Sequence, residues 1–335
     1  MVRLIKTKMT GWKYLVETIL ALRDQPDDDP YDSSFEKSVD SSQNCTLRLT
    51  LKIFYRQINP FQATDMMWRH VATALGLSVS SGRMIGTYPD HDTHQHLIQE
   101  WTPIEWSNFL NEVKRQANLW NGRFWLIPPD NFTLLDIEEG SWTNKSGRTR
   151  TRPNINCTLD FQIAPMRPHK YIDVVNVIGP GFFRSNDRLY NTSDAGTRVD
   201  GDVDWRGVLI STKQPVIAHE IGHALGLPHI GISRNLRQCG VALVFQNKFS
   251  QDAVPALYKG GIGANVCYGA RSSAGDIDNI MGAGDKFSEE NAKPWLDRLP
   301  HHFDLSPSEM ATVFTNLPKW RVSLSYVAPR RLPEV

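Results

Sequence analysis

The sequence predicts an α/β (α+β) protein, and three observations carry that expectation. Residues 47–55 alternate as Leu47, Leu49, Leu51, Ile53 and Tyr55, the period-2 pattern of a strand with one buried face. Residues 104–120 set Trp106, Phe109, Leu110, Val113, Ala117 and Trp120 on one helical stripe, as a helix crossing over a sheet requires. Further apolar runs at 124–127, 132–137, 156–163 and 171–178 read as strands or strand pieces, and residues 208–210 as the strand that feeds a second helix.

The chain has 335 residues, more than one typical domain but within reach of a single α/β unit with insertions. Hydrophobic residues make up 40% and charged residues 22%, the balance of a folded globular protein. Formal net charge is +1 and the Lys and Arg residues are scattered, so there is no electrostatic ground for a nucleic-acid partner or an anionic membrane. No run approaches the roughly eighteen apolar residues of a membrane helix.

Residues 1–8 are basic, but the stretch 12–22 is interrupted by Lys13 and Glu17 and lacks a clean small-residue cleavage site, which makes a poor signal peptide. Trp12, Leu15, Val16, Ile19 and Leu22 instead follow helical spacing. The expectation is a chain that stays inside the cell, leaves it by a route without a cleaved signal, or is not the native precursor. Residues 24–43, rich in Asp, Ser and Pro, read as a linker or exposed strap.

Residues 65–77 carry Met66, Trp68, Val71 and Leu75 near helical spacing. Residues 88–96 concentrate His91, His94, His96, Asp90 and Asp92 in what reads as a loop; a second metal ion is one reading, a solvated loop the simpler one. Residues 141–153 read as a basic polar loop and 179–197 as loop. Asp200, Asp202 and Asp204 offer the hard oxygens that Ca²⁺ prefers, but the twelfth-position Glu of an EF-hand loop is missing and a polar hairpin is the simpler expectation. Residues 231–273 are glycine-rich; Tyr258 and Tyr268 lie among them as candidates to reach an oxyanion. Residues 288–298 and 306–317 read as helices, and 321–335 as a tail with a strand at 322–326.

The chemistry lies in Ala218-His219-Glu220-Ile221-Gly222-His223-Ala224-Leu225-Gly226-Leu227-Pro228-His229, an HExxHxxGxxH pattern without a mismatch. Residues i and i+4 of a helix share a face, so the imidazoles of His219 and His223 can grip one ion. Glu220 follows the first ligand directly and is placed to take a proton from water at the ion's open side. The helix is expected to begin near Thr212 as N-cap, with Pro215 in its first turn, and to stop at Gly226. A glycine there takes positive φ and turns the chain back so that His229 can approach the same ion. Three protein ligands and one open position make a catalytic zinc site rather than a structural one.

His219, Glu220, His223, Gly226 and His229 resemble the signature of the metzincin clan of zinc endopeptidases, and Asn279-Ile280-Met281-Gly282 resembles its Met-turn. The resemblance implies a twisted, mostly parallel five-stranded sheet with an antiparallel edge strand, an active-site helix, and a C-terminal subdomain holding the Met-turn and a C-terminal helix. It implies that Met281 is the floor beneath the histidines, in a tight 1,4-turn. Residues 1–43 then form an N-terminal helix and acidic linker, a candidate pro-segment; 44–229 the N-terminal catalytic subdomain; 230–320 the C-terminal subdomain; and 321–335 a tail. An Asp of the linker at the ion's open position would be the aspartate switch of some metzincin proenzymes. Ile230 after the third His matches none of the usual family-defining residues, and Ala283 stands where some members carry a ligating Tyr, so the subfamily stays open.

In the metzincin sheet the strands that open with Cys45 and Cys157 are neighbours, so those cysteines either bridge or stay buried thiols, with Cys239 and Cys267 as the other pair. The activity implied is zinc-dependent endopeptidase, with a protein or peptide substrate laid along the edge strand and structural Ca²⁺ as a further candidate ion. Two alternatives keep the metal: an effector or binding module with little turnover, and a zinc hydrolase of cell-wall peptide amides. A pure binder has no need of Glu220, which favours the enzyme.

Overall fold

The period-2 strand of the sequence is the centre of the molecule, and every other strand is placed by reference to it. The computed structural model describes residues 29–38, 43–60, 72–74, 76–77, 82–90, 93–129, 132–139, 149–179, 183, 185–186, 188–203, 209–227, 278–282, 284–306, 308 and 320–329. In chain order they form β1 (Asp32–Glu36), β2 (Cys45–Ile58), β3 (Ile85–Pro89), β4 (Gln95–Gln99), α1 (Pro103–Ala117), β5 (Phe124–Ile127), β6 (Ile137–Glu139) and β7 (Thr149–Thr151). There follow β8 (Ile155–Ile163), β9 (Lys170–Val177), β10 (Leu189–Asn191), β11 (Thr197–Val203), β12 (Leu209–Pro215), α2 (Val216–Ala224), α3 (Lys293–Arg298) and β13 (Arg321–Leu324). The result is a mixed α/β fold, rich in strands and with few helices among the described residues.

The main sheet runs β13-β5-β8-β2-β9-β4-β3, with β1 added beside β2 and β10 beside β9. Its middle is parallel: β2 pairs with β8 through Cys45↔Ile155 to Ile53↔Ile163, and with β9 through Ile53↔Lys170 to Ile58↔Val175. Its flanks are antiparallel, since β5 pairs β8, β13 pairs β5, β4 pairs β9, β3 pairs β4 and β1 pairs β2. A mostly parallel sheet of five strands is therefore corrected to a mixed sheet of nine. The extra strands are short hairpin and edge pieces, which need no crossover helix and leave only a weak periodic trace.

On β2, Leu47, Leu49, Leu51, Ile53 and Tyr55 all point into the core. Each such side chain removed from water contributes about 1.5–3 kcal/mol. Helix α1 covers that face with Phe109, Val113 and Ala117, and Tyr55 meets Phe109 edge-on at 6.2 Å between ring centroids. The helix starts at a reciprocal cap: Thr102 Oγ1 accepts from Glu105 N (3.2 Å) and Glu105 Oε2 accepts from Thr102 N (2.9 Å).

Several expectations change. Within 24–43, Asp32–Glu36 is a strand on β2, held by Asp32–Lys52 at 2.5 Å and by Phe35 against Phe303. Its polar composition is that of an exposed edge, which is why it resembles a linker. The loop at 88–96 is a hairpin, β3 with β4, in which Tyr88 faces His96; His91 and Asp92 lie outside the described residues. At 132–137 a 3-10 turn (Thr133–Leu135) precedes β6, and the segment 179–197 contains β10 and a 3-10 turn (Thr192–Ala195). The strands of Cys45 and Cys157 are neighbours, but the register sets Cys157 opposite Leu47, and both are buried thiols not joined in a disulfide. Residues 72–74 are helical, and the segments 1–28, 228–277 and 309–319 lie outside the described residues. No helix among the described residues is long and apolar enough to cross a membrane.

Candidate metal centre

The histidine-bearing helix begins later than its sequence suggests. β12 continues as a strand through Pro215, pairing Thr212 with Asp200 and Pro215 with Thr197, so Thr212 cannot serve as the N-cap. Pro215 itself is the N-cap, at φ −72° and ψ 100°, and it supplies no side-chain acceptor. The first-turn N–H groups of α2 must find partners on other elements. The far end follows expectation. Gly226 takes φ +83°, Leu227 N donates to Gly222 O (2.9 Å) and Gly226 N donates to His223 O (2.9 Å). These paired bonds are a Schellman cap, and a side chain at Gly226 would strain the left-handed backbone.

On α2 the rings of His219 and His223 meet edge to face, 4.7 Å between centroids, with their Nε2 atoms 3.1 Å apart. His219 Nδ1 lies 2.7 Å from Ile280 O, and His223 Nδ1 lies 2.9 Å from Leu227 O. A carbonyl only accepts, so His223 Nδ1 donates to Leu227 O and leaves its Nε2 able to ligate, while His219 Nδ1 lies between Ile280 O and the Gln214 amide nitrogen. Nitrogens each ~2.0–2.1 Å from one tetrahedral ion stand about 3.3 Å apart, close to what is seen, and a backbone carbonyl on the second ring nitrogen is the usual support of a ligating histidine. Burial, then neighbouring His223, hold His219 down to about 3, so it stays neutral. These two residues therefore fit a zinc ion.

Glu220 is half-buried and lies within electrostatic range of Tyr55, a buried residue of β2. Burial raises the Tyr55 phenol well above its ordinary value, and the Glu220 carboxylate raises it further. Gly222 lies between the two histidines in sequence, against buried Met281. A Cβ built there would overlap Met281 Sδ and stand 3.0 Å from Trp120 Cζ2. Met281 is thus packed directly against the helix turn that carries both rings.

Met281 belongs to a closed turn. Gly282 N donates to Asn279 O (2.8 Å), and Met281 N donates to Asn279 Oδ1 (2.8 Å). The Asn279 and Asn291 amides bond each other, Asn279 Nδ2 to Asn291 Oδ1 at 3.1 Å and Asn291 Nδ2 to Asn279 Oδ1 at 3.2 Å. That pair, fully buried, fixes the turn to the 3-10 turn (Glu289–Ala292) that precedes α3. Gln214 closes the other side: its Nε2 donates to Gly282 O (2.7 Å) and lies 3.0 Å from His219 Nδ1.

The structure brings together His219, His223, Glu220, Gly226 and Met281, while His229 lies outside the described residues. Among the described residues no three His, Cys, Asp or Glu side chains form a ready ligand set. Asp90 instead accepts from His94 N (2.9 Å) and bonds His96 Nε2 (3.0 Å), an ordinary hairpin brace. Asp200 and Asp202 lie on β11, so the expected hairpin is present; Asp204 lies outside the described residues, as do Tyr258, Tyr268, Cys239 and Cys267. Of the linker aspartates, Asp29 pairs with Arg298 (2.9 Å) and Asp32 with Lys52, while Asp24, Asp27, Asp28 and Asp40 lie outside the described residues.

The sequence reading passed over Gln116, Trp120, Gln214 and Asn291, all of which hold the centre in place. Only Trp120 left a signal there, as a member of the α1 stripe, since an amide at a core position looks like a surface residue until its partners are known. Comparison with protein-family models, with curated proteins and with solved structures finds no match to this chain.

Proposed function

We propose that this chain is a zinc-dependent endopeptidase of the metzincin kind, in which His219, His223 and His229 hold the ion and Glu220 is the general base. The observation that carries the reading is the convergence of the two Nε2 atoms to 3.1 Å, each ring held by a carbonyl on its other nitrogen. When bound, zinc supplies Lewis acidity that polarises the carbonyl under attack and acidifies water. Glu220, one residue from the first ligand, takes the proton of the attacking water and passes it to the leaving amine. Met281 and Gly222 keep the two rings in register, and Gly226 turns the chain toward His229.

The finer architecture belongs to the same proposal: a catalytic subdomain over 44–229, a C-terminal subdomain over 230–320 that carries the Met-turn, and a peptide substrate paired along a sheet edge. It is supported by the parallel β8-β2-β9 centre beneath α1, and by the four-residue turn packed under α2. Glu220→Gln tests the chemistry. The variant is expected to keep the zinc content of the parent and to lose at least 10²-fold of its cleavage of unfolded protein. Undiminished cleavage, or zinc absent from the parent protein, rejects the assignment.

A further inference from the structure

We propose that the C-terminal end of α1 is a positioning clamp for the metal helix, in which Gln116 and Trp120 hold both polar groups of Ala218, the residue before His219. The inference rests on the zinc reading and extends it to residues that touch no ligand. α2 has no side-chain cap of its own, and Ala218 N is one of its first-turn donors. Gln116 Oε1 accepts from that N–H at 3.1 Å, and Trp120 Nε1 donates to Ala218 O at 2.9 Å. Gln116 lies on the last turn of α1 and Trp120 on the 3-10 turn (Asn118–Trp120) that directly continues it.

The clamp reaches further through the other end of the same amide. Gln116 Nε2 donates to Ala195 O (2.8 Å) and to Glu112 Oε1 (3.2 Å), and Ala195 is followed by Gly196 and then β11. One buried side chain therefore ties together α1, the approach to the β11–β12 hairpin, and the start of α2. Trp120 also borders Gly222 beside Met281, so it sets the depth of the helix as well as its rotation. A rotation of about 10° moves side-chain ends by about 1 Å on a helix ~5–6 Å in radius. A 1 Å misplacement is enough to lose about 10²-fold in rate. Gln116 and Trp120 are positioning residues on this account, acting through His219 and Glu220.

The test uses the full chain carrying Trp120→Phe, which keeps the ring and removes the donor, and Gln116→Met, which keeps the volume and removes both polar ends. Zinc affinity is read by competition with a chromophoric chelator, alongside kcat, KM and thermal melting. Each variant is expected to bind zinc about tenfold more weakly or worse, with kcat lowered at least tenfold and KM within twofold of the parent. Folded variants whose zinc affinity and kcat match the parent overturn the clamp, even if their melting temperature falls. Amide exchange in the unaltered protein is the check that needs no variant. Ala218 N–H is expected to exchange at least 10²-fold more slowly than an uncapped first-turn amide, and exchange at the uncapped rate overturns the proposal. A parent protein that binds no zinc defeats the zinc reading instead, and leaves the amide-exchange result to decide the clamp.

Discussion

At the scale of the residue, the centre depends on what is absent from position 222 as much as on what is present at 219 and 223. Met281 Sδ occupies the space a methyl group at Gly222 would need, and Trp120 closes the other side at 3.0 Å. Both neighbours are fully buried, so there is little room to yield. Gly222→Ala is expected to destabilise the protein by about 1–3 kcal/mol, the usual range for overpacking. In a double-mutant cycle by urea unfolding, Met281→Ala should recover part of that loss, because it removes the atom that is struck. Strict additivity of the two changes would show that they do not meet. The shared helix of His219 and His223 and the stop at Gly226 were legible in the sequence because their spacing is itself a geometric statement, whereas Met281 entered only through the resemblance of its turn. The buried amides of Gln116 and Asn291 were not. Their partners are separated by up to 102 positions in the chain, and no local pattern announces them.

At the scale of the element, strands with strong alternation and the one long amphipathic helix were read to within a few residues, whereas short and polar pieces were not. β1 has the sequence Asp-Ser-Ser-Phe-Glu, and only Phe35 carries a packing signal. α2 was read from Thr212 because a Thr before an apolar run looks like a cap, but pairing along β11 outweighed that preference as far as Pro215. The 3-10 turn (Thr192–Ala195) behind α2 was read as loop, and it contains a strongly perturbed carboxyl. Asp194 is raised to about 6 from 3.8, first by burial, against the opposing bonds from Ser185 and Asn191 and the charge of Arg198. Asn191 N donates to Asp194 Oδ2 at 2.8 Å, and Arg198 stands 3.8 Å from Oδ1. Because the folded state holds this proton more tightly than the unfolded chain, the stability it contributes is full below about pH 4 and is lost as pH rises through about 6. A shift of that order corresponds to roughly 3 kcal/mol. Asp194→Asn should flatten the fall in unfolding free energy between those pH values relative to the parent. Identical pH profiles for the two proteins would assign the slope to other groups.

At the scale of the molecule, the proposed metal centre is a junction between two parts of the chain far apart in sequence. From the N-terminal side come β2, α1, β11 and β12, which position α2; from the C-terminal side come the turn at Asn279–Gly282 and α3, which floor it. His219 records the meeting: its ring is carried by the first part and its Nδ1 is bonded by Ile280 of the second, 61 positions away. β13 strengthens the union by returning the end of the chain to β5. The α/β class was legible because it follows from strong periodicities. The nine-stranded mixed sheet was not, because its added strands are short and their pairing is non-local.

The most direct test of the central claim is anomalous diffraction from crystals of the zinc-loaded protein, collected on either side of the zinc absorption edge. A single peak should lie ~2.0–2.1 Å from Nε2 of His219, His223 and His229 together, with the Glu220 carboxylate facing its open side. No peak at that position, or a peak that His229 does not reach, would contradict the account.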